Sequence, residues 1–111
     1  MSPTQETPQD LPTEVAQSDR VLKAFKLVSI VNPQGFHMRP KAAFAESAGR
    51  FQSEVTILWE GRMTNGKSMW DLMLVAALPG NEIRIDALGP DAEEAVTALA
   101  KLIETDTGDT I

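Results

Sequence analysis

Cysteine and tyrosine are absent, and histidine occurs once, at position 37. A chain without cysteine has no disulfide scaffold and no thiolate site, and a single histidine cannot supply a multi-histidine metal centre. Neither metal nor cofactor is expected. Long apolar runs are missing too: no segment approaches a membrane span, and the opening stretch MSPTQETPQDLPTEVAQSD has neither the basic start nor the apolar core of a secretion signal. Together with the lack of cysteine, which suits a reducing compartment, this predicts a cytoplasmic protein that stays off the membrane. Positive charge is scarce, with 10 Lys+Arg against 16 Asp+Glu and a net charge of −6. A surface that binds nucleic acid by neutralising phosphates is therefore not expected. Two Trp and four Phe make no basic-aromatic stacking platform. One histidine without a matched nucleophile and orienting acid makes no hydrolytic triad.

What is present is enough for one modest domain: 111 residues, 42% of them hydrophobic. The acidity sits at the ends. Residues 1–20 hold Glu6, Asp10, Glu14 and Asp19 against Arg20, and residues 104–111 hold Glu104, Asp106 and Asp109, which leaves nine acids and nine bases between them. Segment 1–20, rich in Pro, Thr, Gln and Ser, has too few apolar residues to offset the entropy of ordering, so it is expected to be disordered. A folded domain is expected over 21–104 and a flexible tail over 105–111.

Residues 24–31, AFKLVSIV, have strand composition, with Phe25, Leu27, Ser29 and Val31 on one face, and Asn32-Pro33-Gln34-Gly35 follow as a turn signal. From Met38 to about Arg50 the spacing of Ala42, Ala43, Phe44, Ala48 and Phe51 predicts a helix, and Pro40 fits only its first turn. Val55, Ile57 and Trp59 alternate with polar residues, Glu60-Gly61 turns, and Arg62-Met63-Thr64 returns as a hairpin partner. Ser68 with Asp71 has the form of a capping box before the run Leu72 to Leu78, which Pro79-Gly80 ends. Glu82 to Leu88 alternates with Ile83, Ile85 and Ala87 inward. Asp91 and Glu94 then open a helix carrying Ala92, Ala95, Val96, Leu99, Leu102 and Ile103. The order βαββαβα, with hairpins and short connections, predicts an α+β fold: a four-stranded antiparallel sheet covered on one face by three helices.

Chemistry concentrates at Asn32-Pro33-Gln34-Gly35-Phe36-His37-Met38-Arg39-Pro40. Here the only histidine meets the start of a helix, beside an arginine and after a glycine. Amides at a helix N-terminus lack internal partners and sit at the positive end of the macrodipole, so a phosphate on the imidazole would find backbone donors. Arg39 adds a planar set of donors for the same oxygens. An ordinary imidazole titrates near pH 6.5, so this side-chain type is largely neutral and nucleophilic in a cytosol. No water-activating carboxylate stands in the motif to hydrolyse what the ring accepts.

Residues 25–103 carry a more specific pattern: Asn32, Gly35-Phe36-His37-Met38-Arg39-Pro40, the Gly61-Arg62 turn, Asn65-Gly66-Lys67-Ser68, Leu72-Met73, Gly80 and Gly89-Pro90-Asp91-Ala92. In this it resembles HPr, the histidine phosphocarrier family of the phosphoenolpyruvate-dependent sugar phosphotransferase system. The resemblance implies an open-faced β-sandwich and a carrier, not an enzyme, that accepts a phosphoryl group from enzyme I on His37. It would pass the group to sugar-specific acceptors of the enzyme IIA type, working as a monomer. Arg39 would stabilise the phosphate. Ser68 would be a regulatory site for HPr kinase/phosphorylase, although a serine in that place also serves as a helix cap. Met69, Trp70 and Met73 would form the partner-binding surface, with Met69 and Trp70 exposed. Phe36, Met38 and Lys41 depart from the Leu, Ala and small residue usual in the family, and Lys41 is expected to be a solvated helix residue. Ala76 replaces a common glycine and is expected to firm the second helix. A regulatory HPr paralogue, signalling to metabolic or transcriptional partners without sugar transport, fits the same residues.

Overall fold

A computed structural model describes residues 22–106. The expectations for 1–20, and for all of the tail beyond Asp106, lie outside those residues. The elements run β1 (Lys23–Ser29), α1 (Met38–Ala48), β2 (Glu54–Trp59), β3 (Arg62–Asn65), α2 (Met69–Leu72), β4 (Glu82–Leu88) and α3 (Ala92–Glu104). The strands form one antiparallel sheet in the order β1-β4-β2-β3. This is the predicted α+β arrangement.

Alternation fixes which side of each strand meets the helices. Val55 and Ile57 of β2 and Ile83, Ile85 and Ala87 of β4 are buried, and they join Phe44 and Ala48 of α1 and Ala92, Ala95, Val96, Leu99, Ala100 and Ile103 of α3. Fully burying an aliphatic or aromatic side chain is worth about 1.5–3 kcal/mol, so this layer is the main source of stability. The hairpin between β2 and β3 turns at Glu60 (φ 50°) and Gly61 (φ 78°), the paired left-handed conformations that a two-residue connection needs to match strand twist.

In β1, Phe25, Leu27, Ser29 and Val31 share a face as the alternation predicts, and among the described residues it is the uncovered one: Phe25 and Leu27 are more than half exposed, and the core takes Val28 and Ile30. On that open face the Arg84 guanidinium lies 4.2 Å from the Phe25 ring centroid and pairs with Asp86 at 2.8 Å. The second helix stops at Leu72, not near Leu78. Val75 and Ala77 are buried from an irregular segment, in which alternate side chains reach the core. Ala76 lies outside the helix and exposed, so it firms nothing there. In α1, Ala42 is exposed and Lys41 is buried, the reverse of what was expected of each.

Asp91 also departs from its expected part. It occupies the N-cap position of α3 without a side-chain capping bond. Its carboxylate instead accepts from the Ser53 hydroxyl and from the N–H groups of Gln52 and Ser53, tying the loop before β2 to the start of α3. The bond from Ser53, followed by that from Gln52, holds the Asp91 carboxyl below the ordinary carboxylate value. A depressed acid stabilises the fold above the unfolded value of 3.8, and the contribution fades as pH falls through the folded one. Asp91→Asn is therefore expected to melt at a lower temperature than wild type at neutral pH. In a thermal-unfolding series the gap should narrow below pH 3.8; a constant gap would show that the ionised carboxylate is not the stabilising species.

Candidate functional site

The loop that carries His37 is anchored at both ends. Ile30 donates its N–H to Asn81 O at 2.9 Å, and Gly80 returns one to Ile30 O at 2.8 Å. Phe36 donates to Ala77 O at 3.0 Å, and its buried ring meets Phe44 edge-on with centroids 6.1 Å apart. Gly35 has φ +77°, and a Cβ there would lie 2.8 Å from Ala77 O, so both conformation and space demand glycine. One residue beyond this packed pair, the His37 side chain emerges half-buried in the N-cap position of α1, with extended backbone and no capping bond of its own.

Immediately after it the helix offers its unpaired amides. Lys41 N–H bonds His37 O at 3.1 Å and Pro40 has no N–H, which leaves Met38 and Arg39 to supply the first-turn donors. The side chain of Arg39 is exposed, and among the described residues it has no hydrogen bond or ion pair. Lys41 is 7% exposed, with Nζ 5.8 Å from the Phe36 ring centroid, and burial pushes its ammonium below the ordinary lysine range. It packs under the loop and does not stand in solvent.

The imidazole has one close polar neighbour, Asn32, which is 3% exposed. Asn32 Oδ1 accepts from Gln34 N–H at 2.8 Å, which settles the orientation of the amide. Its Nδ2 donates to Asp106 Oδ2 at 3.0 Å and lies 3.3 Å from His37 Nε2. Sequence reasoning used Asn32 as a turn residue and as part of the family pattern, gave it no role beside the ring, and placed Asp106 in a tail. With the partners 74 positions apart in the chain, no local pattern links them. Thr105 and Asp106 continue the end of α3, Thr105 N–H bonding Lys101 O at 3.0 Å.

Ser68 is the N-cap of α2 and accepts from Asp71 N–H at 3.3 Å. The reciprocal half of the expected capping box is missing, because Asp71 accepts from Asn65 N–H and Ser68 N–H goes to Asn65 O. Trp70 is 81% exposed and Met73 half exposed, whereas Met69, expected in the open, is half-buried against the core. Met38 and Leu78 add exposed apolar area, Met38 at the start of α1 and Leu78 in the segment packed under Gly35. Helix α2 packs against α1, so the serine and the aromatic sit on the helical layer that carries the histidine. Among the described residues no group of three or more His, Cys, Asp and Glu could hold a metal ion, and no helix is long and apolar enough to cross a membrane.

Comparison with known proteins gives this geometry its context. The family model for the PTS HPr component phosphorylation site matches residues 25–105. Phosphocarrier protein HPr of Haemophilus influenzae is 38% identical over 80 residues, covering 72% of this chain and 94% of that protein. Phosphocarrier protein HPr of Buchnera aphidicola is 33% identical over 76 residues, 68% of this chain and 89% of its own length. Among solved structures, an HPr from Thermoanaerobacter tengcongensis superposes with a TM-score of 0.73 at 33% identity, covering 79% of this chain and 99% of that one. The phosphocarrier HPr from Bacillus anthracis gives 0.70 at 36% identity, with 73% and 96% covered.

The loop geometry makes Gly35→Ala a direct probe. Holding a non-glycine residue at positive φ costs about 1–3 kcal/mol, and here the Ala77 carbonyl must also give way. Urea unfolding should show a loss of at least that size, and an unchanged midpoint would mean the loop is held differently.

Proposed function

Since this chain belongs to the HPr family and is a phosphocarrier of the phosphotransferase system, we propose that His37 is the residue that carries the phosphoryl group. The observation that supports this reading is the position of the ring. Nε2 is turned toward Asn32 inside the loop, which leaves Nδ1 as the nitrogen available to an incoming group, on the residue that is the N-cap of α1. A phosphate bound there would accept from Met38 and Arg39 N–H at the positive end of an eleven-residue helix. The Arg39 guanidinium, free of other partners among the described residues, would swing onto the same oxygens. Among the described residues no carboxylate is hydrogen-bonded to the ring to activate water there, so the bound group would wait for a protein acceptor.

Enzyme I is the proposed donor, and sugar-specific proteins of the enzyme IIA type are the proposed acceptors. They would dock over Met38, Trp70 and Met73, where exposed apolar side chains surround the approach to α1 and α2. Mixing the purified protein with enzyme I and labelled phosphoenolpyruvate tests donor and site together. His37→Ala is expected to take no acid-labile label, and label persisting in it would refute the assignment. Arg39→Ala should fold normally but exchange phosphoryl groups roughly 10- to 100-fold more slowly, the worth of one charge-assisted hydrogen bond. Equal rates in both directions would remove Arg39 from the site.

Ser68 is the proposed point of regulation, with HPr kinase/phosphorylase as the modifying enzyme. Its phosphate would add roughly −1.5 to −2 charge at neutral pH. Helix α2 would tolerate an anion at its start better than a partner closing over Trp70 and Met73 would tolerate the desolvation. Ser68→Asp should accordingly keep its circular dichroism spectrum and accept phosphate from enzyme I more slowly, mainly through weaker binding. Acceptance at the wild-type rate under limiting enzyme I would show that donor docking does not reach this serine.

A further inference from the structure

Between His37 and the end of α3 runs a three-residue chain of contacts whose direction is fixed by its chemistry. Asn32 is nearly fully buried, and each of its side-chain atoms is accounted for: Oδ1 accepts from Gln34 N–H at 2.8 Å, and Nδ2 gives one hydrogen to Asp106 Oδ2 at 3.0 Å. The second Nδ2 hydrogen points at His37 Nε2, 3.3 Å away. An amide nitrogen has no lone pair to offer, so Nε2 must be the accepting nitrogen, and the proton of the neutral ring must sit on Nδ1. Rotating the amide to invert this would set Nδ2 against the Gln34 N–H and Oδ1 against the Asp106 carboxylate, losing two bonds at once.

We propose that Asn32, locked by Asp106, is a positioning residue that holds the resting His37 ring in its Nδ1–H tautomer, so that the attacking tautomer, with Nδ1 free and the proton on Nε2, is reached only by giving up the Asn32 hydrogen bond. The inference rests on the reading of His37 as the phosphoryl-carrying residue. Bond formation at Nδ1 needs that nitrogen's lone pair, so the Nδ1 proton leaves to solvent and Nε2 takes one up. The Nδ1 pair then forms the N–P bond while the donor's bond to phosphorus breaks and its electron pair stays with the donor. The product forms as a cationic ring with its proton on Nε2, facing the Nδ2 hydrogens of Asn32, and loss of that proton to solvent restores Nε2 as the acceptor. The opposition of two donors therefore falls on the attacking tautomer and the newly formed product, and Asp106 supplies it from 74 positions along the chain.

The single histidine makes the test clean, because one imidazole gives one set of ring nitrogen signals. Two-bond nitrogen–proton NMR spectra at alkaline pH should show wild type as the Nδ1–H tautomer. Asp106→Ala, which frees the amide to rotate, should move the populations toward those of free histidine. In the doubly exchanged variant Asn32→Asp with Asp106→Asn, a carboxylate faces Nε2, and the Nε2–H form should dominate. A merely structural role would leave the tautomer unmoved. The rate of phosphoryl acceptance from enzyme I should rise roughly tenfold in the exchanged variant, the size of one hydrogen bond. A wild-type ring in the Nε2–H form, or tautomer populations unaltered in Asp106→Ala, would overturn the proposal. If the exchanged variant does not fold, Asp106→Ala decides alone. Absence of label on wild-type His37 would refute the reading of the site while leaving the tautomer measurement interpretable.

Discussion

The burial of Phe36 is the contact on which the site depends. Its ring packs edge-on against Phe44 and its N–H is bonded to Ala77, so the chain is pinned on the core one residue before the histidine. Because the peptide unit allows only two soft dihedrals per residue, a pinned position 36 leaves the imidazole little freedom over α1. Gly35 makes the pin reachable, passing close to the Ala77 carbonyl at a positive φ that other residues resist. Lys41 completes the support from beneath: its stem and ammonium are buried beside Phe36, at the cost of a lowered pKa. A smaller residue there would leave volume under the loop.

The same economy shapes the rest of the molecule. Among the described residues only one face of the sheet is covered, and the His37 loop, α2 and the segment from Val75 to Gly80 meet on the helical side. The proposed carrier role would use this openness, with the reactive nitrogen facing each partner in turn. The half-buried ring has one edge bonded inside the loop and, among the described residues, no hydrogen-bond partner on the other. A groove of about 530 Å³ lies on the uncovered face among Phe25, Thr56, Met63 and Arg84, and contains none of the site residues.

How far the sequence reveals such a site depends on the range over which its parts interact. Helix and strand identities followed from periodicity, and the meeting of the lone histidine with a helix start followed from Pro40 and the alanine-rich run after it. The depth of Lys41 did not, because a charged residue in an exposed-looking helical position carries no mark of the aromatic ring waiting beneath it. Nor did the end of α2. The apolar residues from Leu72 to Leu78 suit a helix, but tertiary packing draws Val75 and Ala77 into the core from irregular backbone and leaves Leu74 and Leu78 outside.

Local order was therefore set by the sequence itself: the βαββαβα succession, the inward faces of β2, β4 and α3, and a histidine placed among unpaired helix amides. Each is a short-range property, governed by side-chain alternation, helical spacing and the residues that turn or cap the chain. Tertiary structure alone decided which face of β1 is covered. That strand is apolar on both sides, and only its pairing with β4 tells Val28 and Ile30 to go inward and Phe25 and Leu27 outward. It also decided that Asp106 reaches Asn32 and, through it, the imidazole. Contacts between residues so far apart in the chain depend on how the elements stack, and stacking is fixed by the burial of the whole core, which no local stretch of sequence encodes.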